Sequence, residues 1–319
     1  MNKKLSIIVG GSGQLGISLT QLLLKKKYKV IITTRNVSLA VKKIPIKNKN
    51  LRLIKLDVLK ENQIYSLIEN FKPKMIFYFA GQSSPALSFE KNKITYLSNV
   101  KGCENFLKVL YKKKIKTKFI NASSSEIFSE TVKKININSK KNPISPYGKA
   151  KLISFNITKF FREKKKLNAY NAVIFNTESY YRDKNYLIPK ICNAAIKAKR
   201  YGKKTFFGNL NISREWNWSD EQVIYLMKFV NKKSQDFILS NGYSYSAKKM
   251  LAYAFEYFNL KYESFTETKK NFIRKKDFLT KKSNFNLCLR RNNIKRNSKV
   301  FGKKLINLMI KFYLNEKKT

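Results

Sequence analysis

Through the first half of the chain, short apolar runs alternate with longer stretches whose apolar positions recur every three or four residues. Residues 5–9 form the first run, and the stretch that follows at 14–26 has helical spacing. Further runs at 29–33, 51–56 and 75–79 are separated by patterns of the same kind, with residues 61–71 reading as a helix. A long helical pattern at 100–111 leads into a fifth run at 117–121; another helix starts near Pro146, and a strand is expected at 172–175. Strands that alternate with helices predict a parallel sheet covered on both faces and joined by right-handed crossovers. After Asn176 the alternation loosens, which predicts a smaller and less regular unit. No internal repeat or low-complexity linker appears, and the basic, polar stretch 131–142 reads as a surface loop.

Composition narrows the choices. Of 319 residues, 43% are hydrophobic and 13% aromatic, which is ample for a buried core. The net charge of +49 invites a nucleic-acid reading. Only ten of the 68 basic residues are arginine, however, and lysine occurs in nearly every segment alongside abundant Asn, Ile, Phe and Tyr, which share its A/T-rich codons. A coding bias that decorates the surface accounts for the charge, and no specific nucleic-acid partner is expected. Lysine clusters at 25–27, 112–114 and 164–166 fall where helices would end, a favourable place for cations. Histidine is absent, which removes histidine-dependent triads, histidine-ligated zinc and imidazole bases together. Cys103, Cys192 and Cys288 form no CxxC pair, so neither a disulfide framework nor a thiolate metal site is expected. The apolar run after the basic start ends at Val9, too short for a secretory segment, and no run of 18 apolar residues occurs; a cytoplasmic protein without a membrane partner is expected.

Gly10-Gly11-Ser12-Gly13-Gln14-Leu15-Gly16 directly follows the first strand and opens the first helix. That context gives the glycine triplet its meaning. Gly10 suits a tight turn, Gly13 lets a pyrophosphate approach the backbone, and Gly16 permits close helix–strand packing, while the helix N-terminus offers free N–H groups to the anion. The second strand ends in Arg35, where a cation favours the 2′-phosphate of NADP over the ribose hydroxyl of NAD. Asp57 and Val58, after the third strand, suit the adenine, and Phe79-Ala80-Gly81-Gln82-Ser83 ends the fourth strand with small residues that let the chain lie along the cofactor. The expected architecture is α/β, a Rossmann-like doubly wound parallel sheet over residues 1–175 that binds NADP. A smaller mixed C-terminal unit over 176–319 would hold substrate, with part of 208–240 returning to the sheet.

Tyr147 and Lys151 are four residues apart and share one face of a helix. A phenol with an ordinary pKa near 10 is a poor base at neutral pH, and a neighbouring ammonium with a positive nicotinamide is expected to bring it into range. Upstream, Ser123-Ser124-Ser125-Glu126 closes the fifth strand. The Ser124 hydroxyl can bind a substrate oxygen together with Tyr147, and the Glu126 carboxylate can remove an acidic C–H proton beside a newly formed ketone.

In this order the motifs GGSGQLG, SSSEIF, SPYGKAK, FNTES, GNL and REW resemble the extended short-chain dehydrogenase/reductase superfamily and, within it, the GDP-mannose 4,6-dehydratase family, from Leu5 to about Lys282. The resemblance implies a redox-neutral cycle on GDP-mannose or a related nucleotide sugar: oxidation at C4, loss of the C5 proton with water from C6, and hydride return to C6. It assigns catalysis to Ser124, Glu126, Tyr147 and Lys151, NADP contacts to Thr177 and Arg182, and substrate contacts to Ser84, Asn176, Glu178, Lys190, Asn209, Arg214 and Arg274. It also implies a homo-oligomer, dimer or tetramer, built through helices flanking the Tyr147 segment. Ser124 stands where the family has threonine, Thr177 where it has histidine, and Tyr180-Tyr181 where it has Pro-Arg. Two other readings stay open on sequence: a related epimerase or reductase, which would not release water, and a non-catalytic NADP- or polyanion-binding protein.

Overall fold

The first strand shows why the sheet forms. In β1 (Asn2–Val9), Leu5, Ile7 and Val9 enter one apolar layer and Ile8 the opposite one, the two-residue period of a strand buried on both faces. The computed structural model describes residues 2–269 and 280–316. The chain continues through α1 (Gln14–Lys25), β2 (Lys29–Thr34), α2 (Val37–Lys43), β3 (Leu51–Lys55), α3 (Glu61–Phe71) and β4 (Pro73–Tyr78). A helical arm follows: α4 (Leu87–Glu90), α5 (Asn92–Tyr96), a π turn at Leu97–Lys101 and α6 (Gly102–Lys113). Then come β5 (Lys118–Ser124), α7 (Pro146–Glu163), β6 (Ala169–Ile174), β7 (Thr177–Glu178), α8 (Leu187–Tyr201), β8 (Thr205–Phe207), β9 (Ser213–Arg214) and β10 (Asn217–Trp218). The remainder is α9 (Ser219–Val230), β11 (Asp236–Leu239), β12 (Tyr245–Ser246), α10 (Ala247–Glu256), β13 (Thr266–Thr268), α11 (Phe285–Arg291) and α12 (Gly302–Glu316).

Seven strands in the order β11-β6-β5-β4-β1-β2-β3, all paired in parallel, make the Rossmann-like doubly wound sheet that the alternation predicts. Ile8, Leu19, Phe77, Leu226 and Phe229 pack on one side, Ile64, Phe106, Leu107 and Phe119 on the other. A third cluster joins α8, α10 and α12 through Ile191, Ala195, Met250, Leu251, Leu305 and Met309, with Trp216 and Trp218. Strand β11 is tied to its neighbours by a two-pronged ion pair, Arg162 of α7 to Asp236 at 2.6 and 2.8 Å, and by Asn171 Nδ2 donating to the same carboxylate at 2.9 Å.

Three departures from the sequence reading have physical causes. The helical arm runs on from Asn92, not residue 100, because its buried side there is polar: Thr95 Oγ1 donates to Lys91 O and Asn99 Nδ2 to Thr95 O, so apolar spacing misses it. The stretch 131–142 is not simply a surface loop. Ile135 is buried and bridges Ser283, its N–H donating to Lys282 O at 2.8 Å. The lysine-rich helix ends do more than complement the dipole: Lys27, Lys114 and Lys166 have φ of 59°, 50° and 56°, the left-handed turn that glycine usually makes. Cys103, Cys192 and Cys288 are free thiols, and among the described residues no helix is long and apolar enough to cross a membrane.

Candidate active site

Where β1 meets α1, Gly10 adopts φ +74°, and a Cβ there would stand 2.6 Å from Ala80 Cα at the end of β4. A Cβ on Gly16 would lie 2.4 Å from Gly11 O, so this glycine packs the helix on the turn itself and not, as expected, on the strand. At Gly13 a Cβ would meet only Gly10 O, at 3.8 Å, leaving room on the open side. The first turn of α1 holds no acidic residue, and its N–H groups have no partners within the helix. Gln14 fixes this turn against the chain after β6: its Nε2 donates to Thr177 O at 2.8 Å, and Ser179 Oγ donates to its Oε1 at 2.9 Å.

The turn opens into a cleft of about 1750 Å³ at the C-terminal ends of the strands, where open α/β sheets bind ligands. The cleft brings together Gly10, Gly13, Gln14, Leu15, Gly16, Arg35, Asp57, Val58, Phe79, Ala80, Gly81, Gln82 and Ser83 with Ser124, Glu126, Tyr147, Lys151, Asn176, Thr177, Arg182 and Arg214. It does not gather Ser84, Glu178, Lys190 or Asn209. Ser84 Oγ accepts from Leu87 N, Asn209 Oδ1 accepts from Asn211 N, and the Lys190 ammonium lies over the Phe207 ring at 5.1 Å. Glu178 is buried behind the wall, with Arg182 Nε 3.7 Å from its Oε2. Arg274 lies outside the described residues. An open glycine cradle and bare helix N–H groups fit the pyrophosphate of a dinucleotide, and two cations, Arg35 and Lys43, line the same cleft. The Arg182 guanidinium stacks on Tyr186 with Cζ 3.6 Å from the ring centroid, its Nε buried toward Glu178. Phe312 of α12 closes one wall, stacked on Tyr180 with ring centroids 4.5 Å apart.

Ser145 caps α7, its Oγ accepting from Gly148 N at 3.0 Å, and Pro146 begins the helix; Tyr147 and Lys151 thus share its inward face. Lys151 Nζ donates to Ala122 O at 2.7 Å and stands 5.8 Å from the Tyr147 ring centroid. Burial brings Lys151 down to about 8. Burial also pushes the Tyr147 phenol up to about 12; a hydrogen bond from Ser124 opposes this, the Glu126 charge and Tyr186 reinforce it, and Arg182 opposes it. The phenol is therefore held up by desolvation in the protein alone, where the sequence suggested a lysine-lowered value. Ser124 Oγ also accepts from Glu126 N at 3.2 Å, which points Glu126 out of a 3₁₀ turn at Ser125–Ile127 and into the cleft.

One partner was invisible in the sequence. Lys281, 1% exposed, reaches across from the second half of the chain and places Nζ 2.7 Å from Glu126 Oε1. Nothing in its local sequence marks it among so many lysines. Lys43 also reaches the cleft; its place at the far end of a short helix from Arg35 was the available signal.

Sheet, glycine turn and Ser-Tyr-Lys cluster define an extended short-chain dehydrogenase/reductase. The family model for GDP-mannose 4,6 dehydratase matches residues 7–299, and the chain belongs to that family. It is 28% identical over 288 residues to GDP-mannose 4,6 dehydratase 1 of Arabidopsis thaliana, covering 85% of this chain and 80% of that protein. The Cricetulus griseus enzyme is 30% identical over 276 residues, covering 79% and 72%. Among solved structures, a UDP-glucose 4-epimerase from Thermotoga maritima superposes with a TM-score of 0.86 at 19% identity, covering 98% of this chain and 99% of that one. A dTDP-glucose 4,6-dehydratase from Streptomyces venezuelae gives 0.85 at 16%, covering 98% of each.

Proposed function

We propose that this protein dehydrates GDP-mannose to GDP-4-dehydro-6-deoxy-D-mannose with NADP as a resident cofactor. One observation carries the reading: Glu126 lies in the same cleft as Tyr147, near enough for its charge to act on the phenol. A simple epimerase has no use for a carboxylate there; an elimination does.

Gly10, Gly13 and Gly16 with the N-terminus of α1 would hold the pyrophosphate, and Arg35 with Lys43 the 2′-phosphate. The nicotinamide ring, when bound, supplies an acceptor for the C4 hydride and returns it. Tyr147 takes the C4 hydroxyl proton, with Ser124 hydrogen-bonded to its oxygen and Lys151 and Arg182 as the cations that favour the phenolate. Once C4 is a carbonyl, the C5 proton is acidic. Glu126 takes it, the C5–H electron pair forms the C5–C6 double bond, and the C6–O bond breaks; the proton passes from Glu126 to the departing oxygen, which leaves as water. Hydride return to C6 is matched by a proton delivered to C5, which balances the one Tyr147 took from the C4 hydroxyl. Arg214, buried in the cleft wall, suits the substrate's phosphates because guanidinium binds such oxygens with two prongs.

Purified protein given GDP-mannose should yield a product one water lighter without added NADPH, read by mass spectrometry. Glu126→Gln should retain GDP-mannose binding and lose water release by a factor of about 10² or more. Epimerised sugar without loss of water from the wild-type protein contradicts the reading.

A further inference from the structure

We infer that Lys281 is a positioning residue for the elimination, one that holds the Glu126 carboxylate in the orientation its two proton transfers need. The inference rests on the dehydratase reading above.

The ion pair is built, not incidental. Lys281 Nζ lies 2.7 Å from Glu126 Oε1 and donates to Ser125 O at 3.3 Å, so the lysine grips both the carboxylate and the turn that carries it. Its side chain is 2% exposed and that of Glu126 16%, so bulk water screens the pair poorly. The backbone around Lys281 is tethered on both sides. Its N–H donates to Ser213 O at 3.2 Å, beside Arg214, and two residues on, Ser283 donates from N and Oγ to the Glu215 carboxylate at 2.7 and 2.8 Å. Ser240 donates to the same carboxylate, and the neighbouring Ile135 bridge holds the segment from the other side. A lysine buried this completely, on a segment held by so many bonds, has little freedom to point elsewhere.

The chemistry gives the charge a purpose. Glu126 must first act as a base toward C5–H and then as an acid toward the oxygen on C6. With Oε1 held by the ammonium, the carboxylate keeps one orientation through both roles. Glu126 ends the step ionised, as it began, and no electrons are gained or lost. Tyr147 of α7 feels the Glu126 charge across the cleft, while Lys281 is in contact with the carboxylate.

The test compares wild type with Lys281→Met, Lys281→Gln and Lys281→Arg, each purified with its bound nucleotide, by kcat and KM for water loss from GDP-mannose. With the carboxylate no longer held in place, kcat should fall about 30-fold or more in the Met and Gln variants while KM stays within about threefold. Lys281→Arg should restore most of kcat. If the Met variant fails to fold, Gln, which keeps a hydrogen-bond donor without the charge, decides the matter. An unchanged kcat, or a loss confined to KM, in a wild-type background that does release water overturns the inference alone. A wild type that never releases water overturns the dehydratase reading, and this inference with it.

Discussion

Glu178 shows how much a single buried side chain can govern. Burial raises its carboxyl to about 7, opposed by Arg182, whose Nε lies 3.7 Å away. The folded protein thus binds this proton more tightly than the unfolded chain, whose value is near 4.5. Stability from this group is fully present below pH 4.5 and is lost as pH rises through 7. Glu178→Gln removes that loss. At pH 8 urea unfolding should find the variant more stable by about 1–3 kcal/mol, with the advantage shrinking toward pH 4.5. A difference between the two proteins that stays constant across this window contradicts the burial argument. Among individual residues, those bound to a local pattern could be read in advance. Tyr147 and Lys151 are related by one helical turn, and Glu126 by its place at a strand end. Lys281 could not be read so, because its contact with Glu126 is made only when two distant segments fold together. The same holds for the phenol, whose value depends on burial that no spacing reveals.

Among elements, the strand–turn–helix at Gly10–Gly16 was the most legible, since the spacing of Gly10, Gly13 and Gly16 belongs to one local turn, close-packed at Gly10 and Gly16 and open at Gly13. Two of the three differ in a way that can be measured. Gly16→Ala drives a Cβ to 2.4 Å from Gly11 O, and the backbone must shift; thermal unfolding should show a loss of roughly 1–3 kcal/mol even without nucleotide. Gly13→Ala meets nothing nearer than 3.8 Å and leaves the ligand-free protein's melting temperature within about 2 °C, while its affinity for NADP falls at least tenfold by calorimetry. Equal destabilisation by both would mean that the turn is under structural constraint alone. Elements with little apolar periodicity escaped the reading. The first turns of the helical arm bury Thr95 and Asn99, and β7 and β10 are two residues long, too short to show a period of two.

At the scale of the whole molecule, the sheet is finished by a strand from late in the chain. The join between β11 and the rest depends on Asp236, held by Arg162 and Asn171 where both ionic side chains are only 10–12% exposed. Asp236→Ala leaves Arg162 buried without its principal partner, and urea unfolding should register a loss of about 3–5 kcal/mol with water release per folded molecule unchanged. A loss below 1 kcal/mol would show the strand to be held by its apolar face alone. The parallel order was legible because helices cover both faces of the sheet and leave unbroken apolar runs; the late strand was harder to see among short, irregular neighbours. Phe312 against Tyr180 and Lys281 against Glu126 each join a later segment to an earlier one. Made from its N-terminus, the polypeptide displays the glycine turn and the tyrosine before the segments that supply this wall and this charge exist, so a folding nascent chain completes the cradle ahead of the cleft.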